Sequence, residues 1–376
     1  MADFKIIAAL AWASTMLLSA CHQPAGVPEV PPDEPSVPTG KTASSLYEAF
    51  SWGEGPWSDT VGPDDGQDSG ELTPIVGTVL CTGTYNILSP SARQSCPNNS
   101  WERAKTAISD ILLEMKPDVM ALNELESTSI NYLKNVLTDY ELLVQPNTGG
   151  TFNWAPGILY NAERLVKEED GLFWLSDPEP SALITEEGAY SYFDPVSAST
   201  YSAGSHRCCI WALFKDIKTN GRFYFFATHL NFSETESKSS LCNTIVALNP
   251  ANCRSLMRQI DFVNDGGLPF IVAGDMNNYS TELGYRLLTS GKWVDSFYAA
   301  ADDGRLDSYT ALHPGTAPGV NPLKYRYDEM TRVDHVFTSG FRIASYESIF
   351  AKYDNPDDGL IHPSDHIPVK VGLVME

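Results

Sequence analysis

The sequence predicts an α/β protein, a four-layered α/β/β/α sandwich in which two mixed β-sheets pack face to face and helices flank them. Short apolar runs typical of strands alternate with segments that carry apolar residues at helical spacing. Several strand-like runs follow one another with no helix between them, which favours mixed sheets over a purely parallel one. The 376 residues, 43% of them hydrophobic, are enough for one large core or two small ones.

Local patterns predict the individual elements. A β-branched run predicts the first strand over 78–87. Ala104, Ile108 and Leu112 recur at helical spacing and predict a helix over 101–115, which Pro117 ends. Further strands are predicted over 119–122, 157–160, 172–175, 210–214, 223–227, 269–272, 332–337 and 369–374, and further helices over 132–137 and 253–263.

Residues 1–20 have the pattern of an export signal. Lys5 supplies positive charge, and the apolar run over 6–18 is too short for a comfortable membrane span. The run leads into Leu18-Ser19-Ala20-Cys21, which resembles the lipobox of bacterial lipoproteins, where the cysteine is lipidated and becomes the N-terminus. We therefore expect a lipid anchor on Cys21 and a place in the bacterial cell envelope, at the outer membrane or cell surface. The alternative is an ordinary secretory signal followed by a chance cysteine.

The segment over 21–74 is predicted to be an acidic, Pro-rich and poorly ordered tether. Residues 22–75 carry ten acidic side chains against one lysine, and the whole chain has a net charge of −23. An acidic protein does not attract polyphosphate at long range, which weighs against a high-affinity DNA binder. A hydrolase is not excluded, because a bound divalent cation reverses the local sign of the charge.

Six cysteines follow Cys21, and an even number in an exported chain suggests disulfides. Cys242 and Cys253 are close in sequence and separated by a predicted Pro-containing loop, so they are the preferred pair. No cysteine has the spacing of a zinc ligand.

Six short segments place polar side chains at the ends of predicted strands or just beyond them. Each is weak alone, because an Asn after a strand is a common turn former and a single Glu is commonly solvated or a helix cap. The segments are Tyr85-Asn86-Ile87-Leu88, Leu122-Asn123-Glu124, Thr228-His229-Leu230-Asn231, Gly274-Asp275-Met276-Asn277-Asn278, Arg332-Val333-Asp334-His335 and Ser364-Asp365-His366.

In this order the six segments resemble the endonuclease/exonuclease/phosphatase superfamily, which includes deoxyribonuclease I, apurinic endonucleases, neutral sphingomyelinases and inositol-phosphate 5-phosphatases. The resemblance spans about residues 76–376. Its most specific parts are Gly274-Asp275-Met276-Asn277 and the segment from Ser364 to Val369. It implies a deoxyribonuclease I-like sandwich, a catalytic domain over 75–376, and a metal-dependent phosphoester hydrolase of phosphodiesterase or nuclease type.

A hydrolase of this kind needs a nucleophilic water, a positive centre and help for the leaving oxygen. Glu124 and Asp365 supply hard oxygen ligands, and Asn86 can add a neutral oxygen or orient a bound water or phosphate. The resemblance assigns all three to the metal site. The expected cofactor is Mg²⁺, with Mn²⁺ or Ca²⁺ as alternatives, since magnesium typically needs only one or two carboxylates.

Asp275 is the candidate base that activates water. The resemblance implies that Asn277 aligns the nucleophile with it, and that a protonated His366 holds a phosphate oxygen while Asp334 stabilises the imidazolium. His229 is expected to contact the scissile phosphate and to assist the leaving group, and Asn231 is expected to be a secondary substrate-binding contact. Arg207 is a candidate substrate-binding residue that can reach phosphate, and the alternative is a solvated or salt-bridged arginine. His335 faces away from Asp334 and is expected to be structural.

The substrate is open between nucleic acid, a lipid headgroup and a small phosphoester, and the loop over 177–205 is expected to shape the choice. The chain is expected to meet the membrane through its lipid anchor and otherwise to act as a monomer. Two alternatives use the same scaffold: a catalytically silent ligand-binding lipoprotein, and a phosphomonoesterase acting on lipid headgroups or sugar phosphates. A dinuclear metallophosphatase is disfavoured because the Asp-x-His and Gly-Asn-His segments of that class are absent.

Overall fold

The structure is a computed structural model that describes most of the chain beyond residue 75. The predicted signal sequence, Cys21 and the tether lie outside the described residues, so the expectations for them stay predictions. The described ranges are 76–95, 97–144, 155–177, 179–186, 189–194, 199–204, 207–231, 242–319, 331–355 and 359–376.

Two six-stranded mixed sheets form the centre of the protein. The first has the order β13-β16-β1-β2-β4-β3, with β1 (Leu80–Asn86), β2 (Val119–Leu125), β3 (Glu141–Leu143), β4 (Ala155–Tyr160), β13 (Phe341–Ser348) and β16 (Val369–Met375). The second has the order β11-β12-β10-β9-β8-β5, with β5 (Leu165–Trp174), β8 (Cys208–Asp216), β9 (Arg222–His229), β10 (Phe270–Asp275), β11 (Val294–Asp295) and β12 (Asp334–Ser339). Each sheet contains one parallel pair, β1–β2 and β9–β10, among antiparallel ones.

Helices and two small hairpins complete the described residues. The helices are α1 (Trp101–Met115), α2 (Ser127–Val136), α3 (Cys242–Val263), α4 (Leu283–Leu288), α5 (Ser296–Asp302) and α6 (Ser308–Leu312), and the hairpins pair β6 (Ala189–Asp194) with β7 (Ser199–Gly204) and β14 (Tyr353–Asn355) with β15 (Gly359–Ile361). Within this part of the chain, each helix is too short or too polar to cross a bilayer.

Three apolar layers make the four-layered sandwich. The central layer lies between the sheets and joins residues such as Ala121 of the first sheet to Ala273 of the second. One outer layer packs α1 against the first sheet, and the other packs α3 against the second through Leu256 and Ile260. This deoxyribonuclease I-like architecture confirms the predicted fold class.

Helix α1 has the predicted bounds because its signals are local. Its buried residues include Ala104, Ile108 and Leu112, which is the spacing of one helix face. Lys116 ends the helix in the left-handed conformation, with φ 47° and its N–H donating to the carbonyl of Leu112. Pro117 follows and disfavours further helix.

The prediction of a Cys242–Cys253 disulfide is wrong. Both residues belong to the continuous helix α3, which contains Pro250 rather than being interrupted by it. Eleven residues of helix separate the two positions by about 16 Å, whereas bridged Cα atoms lie at most about 7 Å apart. Cys253 is a buried free thiol.

The strand topology brings the ends of five strands to one edge of the sandwich. In the first sheet, Asn86 at the end of β1 is in register with Asn123 of the parallel strand β2. In the second sheet, Asp275 at the end of β10 is in register with His229 of β9 on one side and Asp334 of β12 on the other. Polar residues that are far apart in sequence therefore meet at this edge.

Candidate active site

Strand β2 delivers Glu124 to this edge by an irregular conformation. The pairing of β2 with β4 shifts register between Leu122 and Leu125, and Glu124 has a positive φ of 62°. Such a conformation costs energy in a non-glycine residue and persists where its surroundings fix it. Here Glu124 accepts hydrogen bonds from Asn86 Nδ2 (3.0 Å) and from the Ser89 amide (2.9 Å).

Asp275 lies at the centre of the site. Its Oδ2 accepts a hydrogen bond from Asn86 Nδ2 at 3.0 Å, and lies 3.4 Å from His229 Nε2 and 3.7 Å from His366 Nε2. Its Oδ1 accepts a hydrogen bond from the backbone N–H of Asn277 at 3.0 Å. The carboxylate is 2% exposed, so these neighbours rather than water surround it.

A glycine makes this position of Asp275 possible. Gly274 has φ 152°, and a Cβ there would lie 1.9 Å from the carbonyl oxygen of Thr228 on the neighbouring strand. Any side chain would push β10 away from β9 just before their catalytic candidates. The Gly-Asp order of this segment therefore has a steric reason.

His366 forms a couple with Asp334. The distance from His366 Nδ1 to Asp334 Oδ2 is 2.7 Å, typical of a charge-assisted hydrogen bond. Thr316 supports the couple, since its hydroxyl accepts from the amides of Val333 (3.1 Å) and Asp334 (3.0 Å), and its carbonyl accepts from the Ile367 amide. Asp334 Oδ1 has no hydrogen-bond partner among the described residues.

Burial and neighbouring charges shift the pKa values of the three central groups, Asp275, His366 and His229, away from their usual values. Burial raises the pKa of Asp275 to about 7, although the charge of His366 opposes the shift. Burial lowers the pKa of His366, but the carboxylates of Asp334 and Asp275 outweigh it and hold that pKa well above its usual value. Burial, together with Arg207 and His366, holds the pKa of His229 well below its usual value. At neutral pH the site therefore contains one imidazolium and one neutral imidazole.

The remaining predicted residues surround this centre. Arg207 Nε lies 3.4 Å from Asn231 Oδ1, and the buried guanidinium is close enough to Asp275 and Glu124 for their charges to raise its pKa against the dominant effect of burial. Asn277 donates from Nδ2 to the Leu230 carbonyl at 2.9 Å. The structure thus brings together the predicted site residues, which are Asn86, Glu124, Arg207, His229, Asn231, Asp275, Asn277, Asp334, Asp365 and His366.

Asn123 is a positioning residue to which the sequence pattern gave no role. Its Nδ2 donates to the Thr228 carbonyl (2.8 Å), and its Oδ1 accepts from the Asp275 amide (3.0 Å). One side chain from the first sheet thereby fixes the ends of β9 and β10 in the second. Asn249 of α3 has a similar role, as it donates to the carbonyls of Asn231 and Met276. In the sequence, only the position of Asn123 next to Glu124 indicates that it belongs to the site.

The carboxylates of Glu124 and Asp365 fit a divalent cation as oxygen ligands. Burial and the nearby charge of Asp365 raise the pKa of Glu124, so bringing these two carboxylates together is costly unless a cation neutralises them. Asn86 is oriented differently from the expectation: its Oδ1 accepts from the Leu88 amide (3.1 Å), and its Nδ2 faces the carboxylates. In this orientation Asn86 holds Glu124 and Asp275 and does not offer an oxygen to a metal.

A second group has ligand geometry. The ligand atoms of Asp275, Asp334 and His366 lie within 4.8 Å of one another. This group fits a cation less well than Glu124 and Asp365 do, because the 2.7 Å contact between His366 and Asp334 requires a proton on His366 Nδ1, and the high pKa of His366 keeps the ring charged. An imidazolium repels a cation and has no lone pair to give it.

The sequence profile of the endonuclease/exonuclease/phosphatase family matches residues 83–366, from β1 to His366. The chain belongs to this family. The matched range includes the polar segments from Asn86 to His366, so the resemblance inferred from the six segments is confirmed. The sequence matches no curated protein.

Solved structures of the family share the fold. An endonuclease/exonuclease/phosphatase family protein from Bacteroides thetaiotaomicron is 23% identical, with a TM-score of 0.62 over 80% of this chain and 100% of that one. A mannosyl-6-phosphatase from the same organism is 22% identical, with a TM-score of 0.60 over 79% of this chain and 100% of that one. TDP2 from D. rerio, complexed with a single-strand DNA product, is 15% identical, with a TM-score of 0.54 over 79% of this chain and 99% of that one.

Proposed function

We propose that this family member is a divalent-metal-dependent phosphoester hydrolase that acts on phosphodiesters, with Asp275 as the base that activates water. One observation supports the proposal most strongly: Asn86, His229 and His366 converge on Oδ2 of a single buried carboxylate. The pKa of this carboxylate is raised to about 7, which suits a general base that works near neutral pH.

The residues divide the chemistry as follows. Asp275 takes a proton from water as the water oxygen attacks phosphorus and the bond from phosphorus to the leaving oxygen breaks. Asn277, whose backbone N–H binds Asp275, helps to align the water. The imidazolium of His366, held by Asp334, binds a non-bridging phosphate oxygen and neutralises developing charge. Neutral His229, with Arg207 and Asn231 beside it, contacts the scissile phosphate. Its Nδ1 has no partner among the described residues.

Glu124 and Asp365 would hold the cation, most suitably Mg²⁺ or Mn²⁺, since hard carboxylate oxygens are the ligands these ions prefer. When bound, such a cation would supply Lewis-acid stabilisation of the negative charge that develops in the reaction. Asn86 keeps Glu124 and Asp275 at a fixed separation through one amide group.

A substrate panel with MgCl₂ tests the proposal: bis-p-nitrophenyl phosphate, plasmid DNA and sphingomyelin as diesters, and p-nitrophenyl phosphate, a sugar phosphate and inositol phosphates as monoesters. We expect diester cleavage that EDTA stops and Mg²⁺ or Mn²⁺ restores. Turnover of monoesters alone would replace the proposal with a phosphatase, and binding without turnover would indicate a silent binding protein. Activity unaffected by chelation would refute the role of the cation.

We further propose that the enzyme is exported and attached to the cell envelope through lipidated Cys21, because Leu18-Ser19-Ala20-Cys21 follows an apolar run directly. Cys21→Ala should move the protein from the membrane fraction to the soluble fraction. Continued membrane association of the variant would contradict the anchor.

A further inference from the structure

Arg93 is a buried cation near the proposed metal ligands, and the catalytic proposal gives it no role. It lies in the short 3-10 helix Ala92–Ser95 and is 2% exposed. It forms no ion pair with a described carboxylate. Its four side-chain hydrogen bonds to described residues all go to backbone carbonyl oxygens. Burying a guanidinium in this way is expensive, so a specific structural purpose is expected.

The guanidinium joins three separate segments of the chain. Nε donates to the Leu88 carbonyl (2.8 Å) and Nη2 to the Ile87 carbonyl (2.6 Å), both directly after β1. Nη2 also donates to the Pro363 carbonyl (2.7 Å), 270 residues further along the chain. Nη1 donates to the Asn99 carbonyl (2.9 Å) just before α1.

Two of these segments hold the proposed cation ligands. The segment after β1 contains Ser89, whose amide binds Glu124 Oε2, and Leu88, whose amide binds Asn86 Oδ1. Pro363 stands two residues before Asp365. Arg93 therefore connects the support of Glu124 to the loop that carries Asp365.

The backbone at Leu88 shows why the connection matters. Leu88 has φ 55°, a strained conformation for a non-glycine residue, and it persists only where neighbouring contacts fix it. Both the amide and the carbonyl of Leu88 are bound, the carbonyl by Arg93. Without that contact the segment can relax, and the Ser89 amide would no longer be held against Glu124.

We propose that Arg93 is a positioning residue that sets the separation of Glu124 and Asp365 and so determines the affinity of the site for a divalent cation. This inference rests on the proposed function, because it takes these two carboxylates as the ligands. Its chemical basis is the planar guanidinium fork, which can satisfy four carbonyl oxygens at once. A lysine carries the same charge but cannot reproduce this arrangement.

The test titrates Mn²⁺ alone into the Arg93→Lys and Arg164→Lys proteins. Calorimetry measures the Kd for Mn²⁺ in each. Arg164 is a matched control because it is also a buried arginine, 4% exposed, and it binds Asp216 at 2.7 and 2.9 Å. It lies near Asp118, which directly precedes β2 at the end of that strand away from the site. The length of β2 puts Arg164 about 20 Å from the site. Both substitutions keep the positive charge, so Coulomb repulsion of the cation is unchanged and a difference reports on geometry.

We expect Arg93→Lys to raise the Kd for Mn²⁺ about tenfold, the lower end of the effect of residues that orient ligands. Arg164→Lys should lose thermal stability and keep its Kd. An unchanged Kd in folded Arg93→Lys would overturn the inference while leaving the hydrolase proposal intact. If the wild-type protein binds no Mn²⁺, the proposed cation site fails as well.

A milder variant covers the case in which Arg93→Lys does not fold. Asn99→Ala leaves Arg93 in place, but removes the side chain that accepts from the Tyr353 hydroxyl (2.7 Å) and contacts the His362 carbonyl (3.5 Å) next to Pro363. We expect a smaller rise in Kd in the same direction. A folded Asn99→Ala protein with wild-type affinity would then count against the inference.

Discussion

Two buried histidine–carboxylate clusters lie on opposite faces of strand β12, and they differ in how completely they are paired. Asp334 faces the site and meets His366. The next residue, His335, faces the outer side of the sheet and stacks on Phe337, as expected for alternate positions of a strand. We call the first, which contains the proposed catalytic residues, the catalytic cluster (Asp275, Asp334, His366, His229) and the second the structural cluster (Asp295, Arg332, His335, Tyr285).

The structural cluster contains a guanidinium paired with its carboxylate. Arg332 Nη1 donates to Asp295 Oδ2 (3.0 Å) and to His335 Nδ1 (2.9 Å), so the His335 ring must carry its proton on Nε2, which donates to the Asn278 carbonyl (3.0 Å). Burial raises the pKa of Asp295, but the charge of Arg332, together with the hydrogen bond from the Tyr285 hydroxyl, outweighs it and holds that pKa far below its usual range. The carboxylate stays ionised and unreactive, as expected for the structural role predicted for His335.

The catalytic cluster has no such pairing at its centre. The pKa of Asp275 is raised to about 7, and both Asp334 Oδ1 and His229 Nδ1 lack partners among the described residues. Burial alone therefore does not distinguish a reactive carboxylate from a structural one. The distinction comes from whether a permanent cation completes its pairing.

Asp275→Asn gives the sharpest test of this comparison. We expect kcat to fall about 10⁴-fold, roughly 5.5 kcal/mol, because the amide cannot accept a proton from water. Thermal stability should not fall, since Asn keeps the shape and one acceptor. Steady-state kinetics and thermal unfolding measure the two effects. Unaltered turnover in the variant would remove Asp275 from the mechanism.

Arg332→Met should produce the opposite signature. Removing the guanidinium leaves the buried Asp295 without its cation, which should lower the free energy of unfolding by about 3–5 kcal/mol. Urea unfolding measures the change. The control is Arg222→Met, because Arg222 pairs with Glu168 at the surface, where a loss of only about 0–1 kcal/mol is expected. Equal losses in the two variants would contradict the assignment of the structural cluster.

Thr316→Val tests the support of the Asp334–His366 couple. The substitution keeps the shape of the side chain but leaves the amides of Val333 and Asp334 without their acceptor, at a cost of about 1–3 kcal/mol. We expect kcat to fall as Asp334 shifts, and Thr316→Ser, which keeps the hydroxyl, to restore both kcat and stability. A Ser variant as impaired as the Val variant would indicate a packing role only.

The pH dependence of the unfolding free energy should report the raised pKa of Asp275 in the catalytic cluster. The pKa of Asp275 is raised in the folded state, so its contribution is most favourable below the unfolded pKa near 4 and is lost as pH rises to about 7. In EDTA, the unfolding free energy of Asp275→Asn relative to wild type should therefore increase between pH 4 and 7 and level off above. A difference that is constant across this window would show that the pKa of Asp275 is not raised.

Local patterns predicted most of the elements that hold the site. The helix over 101–115 was predicted with its observed bounds, and the strands ending at Asn86, His229 and Asp275 were found to within a few residues, because periodicity and β-branching are local. Strand β13 was missed, as were the short helices α4 to α6. Helix α3 begins at Cys242, 11 residues before the predicted start, because the helix continues through Pro250, a residue that favours a loop in the sequence.

The family, the sandwich and the polar residues of the site can be predicted from the amino-acid sequence, because strand-end motifs in a fixed order depend on neighbours along the chain. Which partner each of these residues has depends on how distant parts of the chain pack. Asn86 meets Asp275 across 189 residues, and Arg93 meets Pro363 across 270. Asn123, Thr316 and Arg93 acquire their roles through such contacts, whose geometry depends on how two sheets and their loops pack. No local pattern encodes that packing, since loop closure over such separations is set by the whole fold.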